Sequence, residues 1–200
     1  MINKTMIRKL IPHLNTFLTK NPQVASAIDQ TLNNPVDLPG RFSILNEKLR
    51  AEVGEKDLAD QDLRNLNSKI SVLEVEISTL VKKLRDLIGI FQPQLSVECN
   101  LKSDFVSNVG KFIEDCEKIS QSIAQFDLKN FFGQLKTKFA DFKTLFAQRA
   151  ENSAHLQQEK SDVQTLLEEN ADFVLLAYAM IKEICEISFP SLQEAAKSWR

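Results

Sequence analysis

From Leu63 to Phe91, apolar side chains recur at Leu63, Leu66, Ile70, Leu73, Ile77, Leu80, Leu84, Leu87 and Phe91, with gaps alternating between three and four. That spacing averages 3.5 residues, which keeps one stripe of an α-helix turned toward a partner helix and marks a supercoiled seam. With Leu63 at an a position, leucine fills every d position of the stretch. Ile-rich a positions with leucine at d suit parallel two-stranded pairing. The side chains flanking the seam change along its length. They are Asn67, Lys69, Glu74 and Glu76 first, then Val81, Lys83, Ile88 and Ile90. Polar flanks suit two helices, whereas apolar flanks need further helices to cover them. The pattern therefore predicts a two-helix arm near residues 60–78 and a thicker bundle near 80–91.

Carried backwards, the same register puts Phe42, Leu45 and Leu49 in the seam, then meets Glu52 and Lys56 with Gly54 between them. Charges at such positions are solvated or face a polar neighbour, so a weak or bent middle is expected near residues 52–59. A helix continuous from 42 to 91 measures about 75 Å at 1.5 Å per residue, which implies a rod-like protein.

Three further segments repeat the rhythm. One runs from about 103 to 126, through Phe105, Val109, Phe112, Cys116, Ile119, Ile123 and Phe126. A second runs from 128 to 149, through Leu128, Phe132, Leu135, Phe139, Phe142 and Phe146. The last, from about 151 to 188, reads Leu156, Glu159, Val163, Leu166, Asn170, Phe173, Ala177, Met180, Ile184 and Ile187. Leu167, Val174 and Ile181 add an adjacent stripe, and Asn170 at an a-type position is of the kind that fixes register. The expected fold is all-α: an elongated helical bundle with a long coiled-coil helix, its seam at 63–91, and antiparallel long helices. Few glycines and prolines interrupt it, 5 and 6 in 200 residues.

The clearest punctuation is Asn33-Asn34-Pro35-Val36-Asp37-Leu38-Pro39-Gly40, which reads as a loop with the long helix starting near Arg41. Gln92-Pro93 ends that helix, and Pro190 ends the last one, leaving a short terminal helix from Ser191 with Trp199 available to dock. The loop at 33–40 divides the chain into an N-terminal segment, 1–34, and a coiled-coil body, 41–200. The first segment is basic and acid-free through residue 28, carrying Lys4, Arg8, Lys9 and Lys20. Met6, Ile7, Leu10, Ile11, Leu14, Phe17 and Leu18, with Ile2 before them, give it an amphipathic face kinked or restarted at Pro12. Asn21-Pro22 caps a second helix whose face carries Val24, Ile28 and Leu32. A basic amphipathic helix fits a membrane surface. It equally packs on the acidic remainder of its own chain.

Chemistry is sparse. His13 and His155 are the only histidines, and neither has a carboxylate three residues before it, where Leu10 and Asn152 stand. Glu168-Glu169 lacks the Glu-x-x-His companion of carboxylate-bridged metal bundles. No phosphate-cradling glycine loop, dinucleotide fingerprint or nucleophile elbow is present. Cys99, Cys116 and Cys185 have no metal-like spacing and read as reduced thiols. No catalytic, metal or cofactor residue is expected, and a net charge of −2 offers nucleic acid no general attraction. Lys129, Lys136 and Lys143, spaced seven apart beside phenylalanines, fit a phosphate backbone or a lipid surface, but are read in preference as flanking cations that pair with acids on a neighbouring helix.

These features point to a non-enzymatic scaffold or adaptor subunit in the cytoplasm that binds another helical protein, or a second copy of itself. Its contact seam is Leu63, Leu66, Ile70, Leu73, Ile77, Leu80, Leu84 and Leu87, unless the chain's own later helices fill it. The alternative is a peripheral membrane protein binding through Lys4, Arg8, Lys9 and Lys20.

Overall fold

A computed structural model describes residues 3–32, 36–91, 99–101, 104–120 and 126–197. Roles assigned above to Ile2, Asn33, Asn34, Pro35, Gln92, Pro93, Ile123 and Trp199 lie outside the described residues. The fold is all-α, with no strand among those residues: α1 (Lys4–Lys20), α2 (Pro22–Leu32), α3 (Leu38–Phe91), α4 (Phe105–Ser120), α5 (Phe126–Glu169), α6 (Ala171–Ser188), a 3-10 turn (Pro190–Leu192) and α7 (Gln193–Lys197). Two compact units divide them. One comprises Met1–Ala59 with His155–Arg200, and the other Asp60–Ala154.

In the first unit, α1 turns Ile7, Leu10, Ile11, Leu14, Phe17 and Leu18 into a core shared with Ile28, Phe42, Leu49, Leu167, Val174 and Ile181. Asn3 caps α1 by accepting the Met6 amide at 3.2 Å, and Pro12 is carried inside the helix. The Asn21 carbonyl accepts the Val24 amide at 3.0 Å as Pro22 opens α2, while its side chain donates back to the Phe17 carbonyl at 2.9 Å. One asparagine thus closes one helix and starts the next. Residues 1–34, expected as a segment of their own, contribute α1 and α2 to this core.

Two boundaries differ from the sequence expectation. The long helix begins at Leu38 rather than Arg41, because Asp37 caps it and Pro39 falls in the first turn. The amides there have no intrahelical acceptor, so proline's missing donor costs nothing. The chain also stays helical through residues 52–59, where the sequence pattern predicts a weak or bent middle. Further on, residues 128–149 and 151–169 are one helix, α5, and the interruption comes at Asn170. Its side chain donates to the Leu166 carbonyl at 2.8 Å, satisfying an acceptor that the break exposes, and its own carbonyl accepts the Val174 amide at 3.0 Å. Beyond Asn170 the buried stripe is Ala171, Val174, Ala177, Ile181 and Cys185, so the second stripe takes over while Ile187 is exposed. Asn170 therefore works as a helix stop and not as a register residue inside one helix.

The second unit packs α3 on α4 and α5. Buried there are Leu66, Ile70, Ile77, Leu80, Val81, Leu84 and Ile88 of α3, Val109, Phe112 and Cys116 of α4, and Leu128, Leu135, Phe139 and Phe142 of α5. The α3 and α5 directions oppose. Ser68–Leu73 share a groove with Asp141–Leu145, Glu76 pairs with the earlier Lys138, and Leu84 and Ile88 line a cavity with the still earlier Leu128 and Phe132. Val75 and Ser78 line a groove together with Leu101 and with Phe105 at the start of α4, so a third helix joins near the point where the flanks turn apolar. Of the apolar flanks, Val81 and Ile88 are buried in the core that α4 shares, whereas Ile90, expected to be covered as well, is 70% exposed near the end of α3.

Candidate functional site

The heptad side chains are placed as follows. Leu66, Ile70, Ile77, Leu80 and Leu84 are buried in the second unit's core, and Leu63, Leu73 and Leu87 are half-buried. The chain's own α4 and α5 fill most of the seam, so little of it remains for another chain.

What remains lies on either side of α3. Val72, 57% exposed, and the half-buried Leu73 and Leu145 floor an open groove of about 540 Å³, rimmed by Ser68, Lys69, Asp141 and Thr144. The other side carries a groove of about 600 Å³ in which Val75, 65% exposed, stands near Leu101 and Phe105, with Glu74, Thr79 and Lys82 at the edge. The periodicity hides these residues because Val72 and Val75 fall outside the a/d stripe. An apolar residue at an outer position of an otherwise polar helix face is the signal that finds them.

The basic residues are mostly engaged or isolated. Lys4 forms an ion pair with Glu168 of α5, whereas Arg8, Lys9 and Lys20 are exposed on α1. The apolar face of α1, which a membrane-surface helix needs for insertion, is buried in the first unit's core. In the lysine series, Lys136 pairs with Glu117 of α4 and lies 5.6 Å from the Phe132 ring centre, while Lys143 stands 5.2 Å from that of Phe139. Phe112, Phe139 and Phe142 are buried, and Phe146, with its ring 5.8 Å from Phe142, is 44% exposed.

All three thiols are free. Burial pushes the Cys116 thiol up to about 12, helped by the charge of Asp115 and by Cys99. Burial also raises Cys185 and the half-buried Cys99, the latter opposed by Arg85. None has the lowered pKa of a nucleophilic cysteine. Among the described residues, one group of carboxylates converges: Glu52, Glu159 and Asp162, in the first unit.

No protein-family model matches the chain, and no similar protein was found among curated proteins or solved structures. Fold and surface together define an all-helical protein whose long helices pack on one another. Its function has to be read from its own side chains.

Proposed function

We propose that this protein is a non-enzymatic interaction module, a scaffold or adaptor subunit that binds another helical protein. The observation that carries the reading is the groove between α3 and α5 floored by Val72, Leu73 and Leu145. Its apolar floor and polar rim suit the apolar stripe of an amphipathic helix laid between two others, with anchors spaced three and four apart. Val72 is 57% exposed, so a partner covering it would recover part of the roughly 1.5–3 kcal/mol that full burial of such a side chain is worth.

The test is quantitative co-purification from the native cell with wild type, Val72→Asp/Leu145→Asp and, as a surface control, Arg8→Glu/Lys9→Glu. A stoichiometric helical partner lost only with the groove variant supports the reading. A partner retained by the groove variant sinks it. Recovery with anionic lipid, lost only with the α1 variant, transfers the function to the exposed cations of α1.

A further inference from the structure

Glu52 and Glu159 occupy seam positions, the places a helix pair ordinarily fills with apolar side chains. Antiparallel packing within the first unit brings them together, and Asp162, nearly one turn beyond Glu159 on the same face of α5, completes the group. One carboxylate oxygen from each lies within 4.8 Å of the other two. Oxygens that bind one cation at about 2.0–2.6 Å fall within about 4–5 Å of each other, so the three are within chelating reach of a single ion.

Glu159 is only 8% exposed. Its Oε1 lies 3.2 Å from His155 Nδ1, while its Oε2 is buried with no hydrogen-bond partner. A buried carboxylate oxygen left without donor or solvent is costly. Lys56 is engaged with Asp57 at 2.7 Å, and among the described residues no lysine or arginine pairs with Glu52, Glu159 or Asp162. Asp162 receives the Gln158 amide, at 2.8 Å. The carboxyl of Glu52 is pushed up by burial and then by the charges of Glu55, Asp162 and Glu159. Every charge named there opposes its ionisation.

We propose that Glu52, Glu159 and Asp162 bind one oxygen-preferring divalent cation of the Mn2+ or Mg2+ class, clamping α3 to α5 within the first unit. Carboxylates without thiolate suit these hard ions, which keep several waters and need few protein ligands. His155 is a positioning residue. Its imidazole beside Oε1 of Glu159 orients the carboxylate toward the cation, as outer-shell partners do in metal sites. The spacing His155, Glu159, Asp162 follows one face of a helix at i, i+4 and i+7. The fourth group comes from α3, far away in sequence.

The experiment uses the full chain stripped with chelator and titrated with Mn2+, free ion being read by electron paramagnetic resonance and stability by thermal unfolding. The expected result is one Mn2+ bound per chain, displaced by excess Mg2+, with a Tm that rises as Mn2+ is added. Glu159→Gln keeps the shape and removes repulsion, so it folds, yet it loses both the bound ion and the Mn2+-dependent rise. His155→Ala keeps the stoichiometry and weakens affinity by about tenfold or more. Absence of bound Mn2+ in folded wild-type protein overturns the proposal, and so does Glu159→Gln binding Mn2+ as tightly as wild type. If wild type ignores Mn2+ while Glu159→Gln is more stable without metal, the acids only repel one another and no cation site exists.

Discussion

Asp37 folds its carboxylate over Gly40: Oδ1 accepts the Gly40 amide at 3.2 Å, and a Cβ on Gly40 would collide with Oδ2. Asp37 itself has a φ of 45°, a left-handed conformation that aspartate tolerates better than most residues. Glycine near the start of α3 is therefore coupled to the cap. In an exposed helix, Gly→Ala ordinarily gains about 1 kcal/mol. Here Gly40→Ala must push the capping carboxylate away, forfeiting about 0.5–2 kcal/mol, so the net gain is expected to vanish. In an Asp37→Gly background, which suits the positive φ and has no carboxylate to displace, the same Gly40→Ala should stabilise by about 1 kcal/mol. Denaturant unfolding of the four proteins in the cycle measures this. Equal effects of Gly40→Ala in both backgrounds would show that the two residues are uncoupled.

Lys138 Nζ reaches Glu76 Oε2 at 2.8 Å and ties α5 to α3 in the second unit, with both side chains about a third or more exposed. Solvent screens such a pair, so a double-mutant cycle of Lys138→Ala and Glu76→Ala should return a coupling of about 0.2–1 kcal/mol, reduced by salt. A coupling above about 2 kcal/mol would mean that the pair is effectively desolvated, contrary to its exposure.

Much of this arrangement is legible before any coordinates. A three-four rhythm records which side of a helix is dry, so Ile70, Ile77, Leu80 and Leu84 announce their burial, and Val81 and Ile88 announce that a third helix covers them. The continuity of α5 is less visible. Between Ala147 and Leu156 the apolar stripe disappears, yet neither proline nor glycine is present to stop a helix, and a solvated stretch of backbone stays helical without a dry face. Asn170 carries the opposite ambiguity, since asparagine suits both a buried register position and a helix stop. The convergence of Glu52 with Glu159 and Asp162 is hidden for a different reason. Its members belong to two helices, and only the antiparallel register sets their carboxylates opposite. Inspecting positions three residues before each histidine misses the acids that follow His155.

Ile77 and Leu73 belong to the same heptad stripe but differ in what surrounds them. Ile77 is fully buried, whereas Leu73 is half-buried beside an open groove. Ile77→Ala should cost about 2–5 kcal/mol, because it opens a cavity in a closed core. Leu73→Ala should cost clearly less, since water reaches the vacated space. Leu73→Asp should leave the helicity of the protein largely intact and abolish partner capture. Circular dichroism with urea titration separates the two positions, and a Leu73→Ala loss equal to that of Ile77→Ala would mean that the groove is closed.

Cys116 offers a pH-dependent test of the second unit's core. Its thiol rises from the ordinary 9.0 to about 12 through burial first, then through Asp115 and Cys99. The folded state therefore holds this proton over a range in which the unfolded chain releases it. The stabilisation is fully present below pH 9, falls as pH rises from about 9, and is exhausted above about 12. Cys116→Ala should be less stable at neutral pH by about 1 kcal/mol, from the small void it leaves, yet lose less stability between pH 9 and 11 than wild type. Alkylation at pH 8 gives the kinetic counterpart. Cys99, half-buried, should react first, while the buried Cys116 and Cys185 should label only as fast as the protein opens. Parallel pH–stability curves for wild type and Cys116→Ala, or labelling of Cys116 ahead of Cys99 in folded protein, would place that thiol in contact with water and remove it from the core.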